Sequence, residues 1–90
     1  MTSAHYSANP ETLAARVGDE IVLVHLGTDR IYVLNRTAAR VWELLCDDGR
    51  LAEIERRMLR EFAIGSEELS GQVDELLASL AENGLVVRSA

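Results

Sequence analysis

The sequence has no lysine, one cysteine and one proline, and only 4% of its 90 residues are aromatic. Because Cys46 has no second cysteine to pair with, the composition predicts a reduced protein of the cytoplasm, without disulfide, metal or cofactor. No apolar run approaches the roughly 18 residues of a membrane span, and residues 1–12 lack the basic start and apolar stretch of a secretion signal. We therefore expect neither export nor membrane insertion.

Acidic residues outnumber basic ones by fifteen to nine, which gives a formal charge of −6, and every base is an arginine. Such a chain would bind DNA usefully only through a segregated basic face. Its hydrophobic content of 48% suffices for one core. We expect a single domain over residues 12–90 and a flexible tail over residues 1–11, which are polar and show neither a strand nor a helix period.

Three short segments of the N-terminal half have the composition of strands. Leu13 to Val17 precedes Gly18-Asp19, a pair that suits a two-residue hairpin turn. Glu20 to Leu26 is rich in β-branched residues, and Arg30 to Leu34 returns after a turn at Gly27-Thr28-Asp29. These segments predict a three-stranded antiparallel meander whose third strand is an open edge unless the fold covers it.

The apolar period then changes to that of helices. Asn35 is placed to cap a helix that ends near Cys46, and a second helix covers Leu51 to Phe62. A third begins at Ser66 and ends in a left-handed glycine cap at Asn83-Gly84-Leu85. Three strands followed by three helices predict an α+β domain with the helices on one side of a small antiparallel sheet.

No constellation of side chains typical of an enzyme is present. His5 and His25 lack neighbours at the spacings of metal sites or acid-base pairs, so we expect structural or surface roles for both. Cys46 follows Leu45 at a helix end, where a small buried thiol is favoured over a nucleophile. The glycines are scattered and form no phosphate loop. The residues therefore predict a non-catalytic protein.

The second helix carries three clustered arginines, Arg56, Arg57 and Arg60, which a winged-helix DNA-binding regulator would also have. Glu53 and Glu61 lie three or four residues from members of this cluster, the spacing at which helical side chains pair. A self-neutralised, solvated face is the favoured interpretation, and a DNA-binding regulator stays as the alternative function.

Trp42 is in register with the first helix's apolar face, so we expect it in the core.

The third helix has a wider apolar stripe than one packing face requires. Leu77 and Ala81 are predicted to turn toward a flank that another apolar segment would cover. Tyr32, on the edge strand, would either cover the core or line a groove between this strand and the helix.

The block from Arg30 to Trp42, RIYVLNRTAARVW, resembles the signature of PqqD-like proteins, in which a tyrosine-bearing strand leads through Leu-Asn into a helix with a tryptophan. The likeness covers roughly Leu13 to Val87. The turn at Gly27-Thr28-Asp29 departs from the Thr-Gly order of the family, which leaves the geometry of this hairpin open. The resemblance implies a winged-helix-like fold, a three-stranded antiparallel sheet followed by a three-helix bundle.

The resemblance also implies a recognition element for ribosomally synthesised, post-translationally modified peptides (RiPPs). Such a protein binds the leader segment of a precursor peptide as an added strand on its third strand, beside its third helix, and presents it to modifying enzymes. Backbone pairing then gives affinity and apolar pockets give selectivity. The predicted leader-binding residues are Arg30, Ile31, Tyr32, Val33 and Leu34 on the strand, and Val73, Asp74, Leu77, Leu80 and Ala81 on the helix. Asp74 would attract a basic leader residue at the rim.

A free-standing chain of this length also resembles the discrete recognition proteins of lasso-peptide pathways. The partners implied there are a cysteine leader peptidase and an ATP-dependent cyclase. Similar domains serve radical-SAM maturases, and the residues do not decide between these partners. The enzyme-docking face is unassigned, and the arginines of the second helix are one hypothesis for it.

Overall fold

A computed structural model describes residues 4–89. Its elements, in chain order, are β1 (His5–Ala8), β2 (Thr12–Val17), β3 (Glu20–His25), β4 (Arg30–Leu34), α1 (Arg36–Asp47), α2 (Leu51–Glu61), α3 (Ser66–Glu82) and β5 (Val86–Ser89). Strands β2, β3 and β4 form one antiparallel sheet in that order, and β1 pairs with β5 in a second. The predicted α+β order of three strands and three helices is confirmed, with a small two-stranded sheet added to it.

The two turns of the meander lie where the sequence places them. Gly18 has φ of 62° at the first turn position, and Val17 faces Glu20 as the closing pair of a two-residue hairpin. In the second turn, Asp29 takes the left-handed conformation with φ of 56°, and its N–H donates to the carbonyl of His25 at 2.8 Å. Aspartate tolerates this conformation, so the departure from the Thr-Gly order still closes the hairpin.

The faces of the three-stranded sheet differ in burial. The inner face packs on α1, and its residues Ile21, Leu23 and Leu34 are buried while Tyr32 is half-buried. The register places the alternate residues on the opposite side, which we call the outer face. Its members are Leu13, Ala15, Val17, Glu20, Val22, Val24, Ile31 and Val33.

Helix ends confirm two of the predicted caps. The Asn35 side chain accepts a hydrogen bond from the N–H of Ala38 at 2.9 Å, which fixes the start of α1 directly after β4. At the end of α3, Gly84 has φ of 76°, and the N–H of Leu85 donates to the carbonyl of Leu80 at 2.9 Å. This is a Schellman motif, and it buries Leu85 completely. Trp42 is buried, as predicted.

The prediction of a flexible tail is wrong for residues 4–11, while residues 1–3 lie outside the described part of the chain. Ala4 and Tyr6 are buried, and β1 pairs with β5 from the far end of the sequence. The N–H of Tyr6 also donates to the carbonyl of Gly49 at 2.8 Å. The segment is ordered because Tyr6 supplies apolar surface and the backbone finds two partners that are remote in sequence.

Candidate functional site

Strand β4 pairs with β3 on one side and with no other described strand on its second side. The hydrogen-bonding direction of each residue follows from the first hairpin. Val17 and Glu20 close a two-residue turn and are therefore a hydrogen-bonded pair, so Ile21 and Leu23 direct their backbone groups toward β4. Strand β4 is thus the edge that the sequence predicts.

The register of β3 with β4 then identifies the backbone groups on the open side. Tyr32 is opposite Leu23, and Leu34 is opposite Ile21, so these residues bond to β3. The N–H and C=O groups of Ile31 and Val33 point the other way. Two residues of β4 therefore present free donors and acceptors to an incoming strand.

The five predicted β4 residues divide between the two sides of the sheet. Ile31 and Val33 have side chains that are 67% and 61% exposed on the outer face, away from the helices. Tyr32 and Leu34 lie on the inner face, half-buried and buried respectively. Arg30 is exposed at the start of the strand. Tyr32 and Leu34, together with exposed Arg30, are on the side where the helices lie.

Helix α3 comes near β4 at two places. At one end the Oη of Tyr32 donates to the Oδ1 of Asn83 at 3.3 Å. At the other end α1 and α3 border an open pocket of about 230 Å³, with apolar and polar lining residues, just beyond the last residue of β4. Its walls come from Ala38, Val41, Val73 and Leu76, and its rim from Asn35, Thr37 and Gln72. The edge strand therefore has a partly apolar, open pocket beside it.

Two stripes on α3 flank its buried row, since residues four and seven apart share a side of a helix. The stripe toward β4 and α1 contains Gln72, Leu76, Ser79 and Asn83. The other contains Ser70, Asp74, Leu77 and Ala81 and lies toward α2. Burial raises the pKa of the Glu55 carboxyl on α2, and Ser70 and Asp74 lie beside that carboxyl.

The helix side of the predicted site therefore requires correction. Leu77 is 0% exposed, so the prediction that it turns toward an uncovered flank is wrong, whereas Ala81 is half-buried and its leader-binding role stays a prediction. Asp74 is exposed but lies beside Glu55 rather than at the rim of the pocket. Leu80 is buried in the core, and Val73 alone of the five lines the cavity.

Sequence reasoning missed Leu76, together with Ala38 and Val41 of α1. The wide apolar arc of α3 has two boundaries, at Leu76 and at Leu77, and a single helix pattern does not show which boundary faces β4. The neighbouring side chains carried a usable signal. Leu76 is flanked by neutral Gln72, Ser79 and Asn83, whereas Leu77 shares its stripe with charged Asp74.

The other open edge, β2, has different surroundings. Arg16 of β2 pairs with Glu43, and the Nε of Arg40 lies 2.7 Å from the Oε1 of Glu61. These side chains line the surface beside β2. An incoming strand would meet ion pairs there, whereas at β4 it would meet an uncharged, partly apolar pocket.

The arginine cluster of α2 is largely paired. Arg56 bonds to Glu53, and Arg57 lies 2.7 Å from Asp47 and 3.1 Å from Glu53, which confirms the predicted pairing with Glu53. Hydrogen bonds from Arg56 and Arg57 lower the pKa of Glu53 to about 2. Glu61 binds Arg40 of α1 rather than Arg57, a correction of its predicted partner. This surface is therefore not a free basic patch.

Cys46 is exposed, so the prediction of a buried thiol is wrong. Partial burial nevertheless raises the pKa of this thiol, which reduces the fraction present as thiolate.

Within residues 4–89 no group of three or more His, Cys, Asp or Glu residues is arranged to hold a metal ion. In the same range, no helix is both long and apolar enough to cross a bilayer.

The family described as coenzyme PQQ synthesis protein D (PqqD) matches residues 20–86, from the start of β3 to the start of β5. The solved structure "TbiB1 in complex with the TbiA(beta) leader peptide" is similar, with a TM-score of 0.86 and 26% identity over 90% of this chain and 94% of that one. A "lasso peptide synthetase B1 complexed with the leader peptide" has a TM-score of 0.83 and 24% identity over 92% and 98% of the two chains. No curated protein matches the sequence.

Proposed function

This chain belongs to the PqqD family, and from that premise we propose that it is a non-catalytic adaptor that binds the leader segment of a RiPP precursor peptide. The observation that carries the proposal is the open edge of β4 beside a partly apolar pocket. The similar TbiB1 structure contains a bound leader peptide, which supports the same kind of ligand here. The leader would add to the sheet as a fourth strand.

In this arrangement the leader pairs with the N–H and C=O groups of Ile31 and Val33. Leader side chains would then alternate between the two sides of the sheet. Those on the inner side point toward Leu76 and the pocket, and those on the outer side extend the outer face. Backbone pairing supplies affinity for an extended peptide, and the pocket supplies selection among sequences.

The pocket indicates what leader side chain it accepts. Its walls are aliphatic, and its rim residues Asn35, Thr37 and Gln72 are neutral. A cavity of about 230 Å³ lies below the range of roughly 300–1,000 Å³ typical of sites for drug-sized molecules. It therefore suits one uncharged apolar side chain rather than a charged residue or a separate small molecule.

An adaptor of this kind has a second class of partner, the enzyme that modifies the precursor. The resemblance to lasso-type recognition proteins implies a cysteine leader peptidase, with a cyclase acting later, and other maturases serve the same role for similar domains. The pairing of Arg56 and Arg57 with acids disfavours the alternative, a winged-helix DNA-binding regulator. DNA retention that falls steeply with salt would contradict the adaptor.

The test is calorimetric titration with the leader of the precursor peptide encoded beside this gene, using Val33→Pro and a matched control. Proline at Val33 removes an outward N–H and adds a ring on the open side of β4, so we expect a loss of affinity of at least about tenfold. Ala14→Pro makes the same change on the open side of β2, because Ala14 also directs its backbone away from β3. We expect its affinity to stay within about twofold of the wild type.

Circular dichroism shows whether both proline variants are folded. Equal affinity of folded Val33→Pro and wild type would contradict strand addition at β4. Greater loss in Ala14→Pro would move the site to β2. No binding by the folded wild type, at two salt concentrations, would overturn the proposed function itself.

A further inference from the structure

The outer face of the three-stranded sheet is aliphatic across all three strands. Leu13, Val17, Ile31 and Val33 are 55%, 60%, 67% and 61% exposed, and Val22 and Val24 lie half-buried between them. The solvent side of an antiparallel sheet is ordinarily polar, and contiguous exposed apolar surface of this kind marks an interaction site. Glu20, opposite Val17, is the one charged member of this side within the paired strands.

Acidic residues surround this face at both ends of the sheet. Asp19 and Glu20 lie at the turn between β2 and β3, and Asp29 lies at the turn between β3 and β4. Glu11 lies beside the second turn, where its carbonyl accepts from the N–H of Leu26 at 2.9 Å. A basic surface would complement this rim, whereas a second copy of the chain or an anionic membrane would be repelled.

The size of the outer face limits what it can bind by itself. Three strands about 4.8 Å apart and about 17 Å long present roughly 250 Å² of sheet plane. A stable complex buries about 800 Å² on each partner, so any protein seated on this face also needs contacts beyond the three strands. A bound leader would add a fourth strand at β4 and enlarge the surface on the same side.

We propose that the outer face docks the enzyme that acts on the bound leader, through an enzyme surface that is aliphatic at its centre and basic at its rim. The inference rests on the proposed function, because the leader strand lies along β4 and is continuous with this face. An enzyme seated here also contacts the leader side chains that point outward. The docking surface is thus the sheet and not the arginines of α2.

The test compares two double variants that make identical substitutions in different places. Leu13→Lys with Val17→Lys puts two positive charges on β2, on the outer face but away from the leader edge. Leu59→Lys with Val87→Lys changes the same residue types at sites of similar exposure, 41% and 51%, off this face. The maturation enzymes encoded beside the precursor gene are each purified separately. The affinity of each enzyme for the leader-loaded wild type and for both leader-loaded variants is then measured by titration. We expect the first to lose at least about tenfold in affinity for one enzyme and the second to lose less than about twofold.

Leader titration of the same variants separates this inference from the proposed function. If all three proteins bind the leader equally and the enzyme also binds the Leu13/Val17 variant like wild type, the outer face is not the docking site. If none of the enzymes binds the leader-loaded wild type, the inference is also overturned. Two further measurements test other occupants of the outer face. If the wild type sediments as a dimer, or floats with vesicles of anionic phospholipid, and only the Leu13/Val17 variant does not, the face binds a second copy or a membrane instead. If the wild type does not bind the leader, the proposed function fails first.

Discussion

At the scale of single residues, Leu76 and Leu77 are neighbours in sequence with different roles in the structure. Leu76 is half-buried and lines the pocket beside β4, whereas Leu77 is 0% exposed and lies toward α2. One residue of helix is a rotation of about 100°, which is enough to move a side chain from the binding flank into the core. The two positions therefore separate binding from stability.

Alanine at each position provides the measurement. Leu77→Ala removes a fully buried side chain and should lower the free energy of unfolding by about 2–5 kcal/mol in urea titrations. Leu76→Ala should cost less stability but weaken leader binding by about tenfold, since it removes a pocket wall. If folded Leu77→Ala instead loses affinity for the leader and Leu76→Ala keeps it, Leu77 is the leader-binding residue, as the sequence predicts.

Most elements could be predicted because their signals are local. The alternation in β3, the turn glycine Gly18 and the cap residue Asn35 each depend on neighbours within a few residues, and all three have the predicted roles. Which boundary of α3 faces β4 depends on how the helix is rotated in the tertiary structure. A single sequence contains no direct record of that rotation, so it predicts the open strand edge better than the helix residues near that edge.

At the scale of elements, β1 shows what a local pattern cannot predict. Its partners are β5 and Gly49, and His5 is opposite Ser89 at the other end of the chain. Four residues without a strong period gain their structure only from these remote contacts. The sequence therefore does not predict the small sheet of β1 and β5.

Gly49 fixes the position of β1. A Cβ atom built there would lie 1.8 Å from the carbonyl oxygen of Tyr6, so Gly49→Ala must displace the strand. We expect faster amide exchange in β1 and β5, and leader affinity within about twofold of the wild type because β4 is not involved. Gly65→Ala is the matched control, since a Cβ atom there meets nothing within 4 Å. Unchanged exchange in Gly49→Ala would show that β1 is not held by this contact.

At the scale of the whole molecule, β4 joins the two proposed surfaces. Its backbone edge belongs to the leader site, and its side chains Ile31 and Val33 belong to the outer face. A ligand that adds a strand to β4 enlarges the outer face, so the two partners are in contact when both are bound. The fold therefore makes the docking surface more complete in the loaded adaptor than in the free one.

This geometry predicts positive coupling between leader and enzyme. We expect the enzyme to bind the leader-loaded chain at least about fivefold more tightly than the free chain, and the leader to gain the same factor when enzyme is present, because binding free energies are reciprocal. Titrating each partner in the presence and absence of the other measures both factors. A leader in which only the outward-facing side chains are replaced by alanine should keep its affinity for the adaptor and lose the coupling. Equal enzyme affinity for free and loaded chains would mean that the enzyme docks without touching the leader strand.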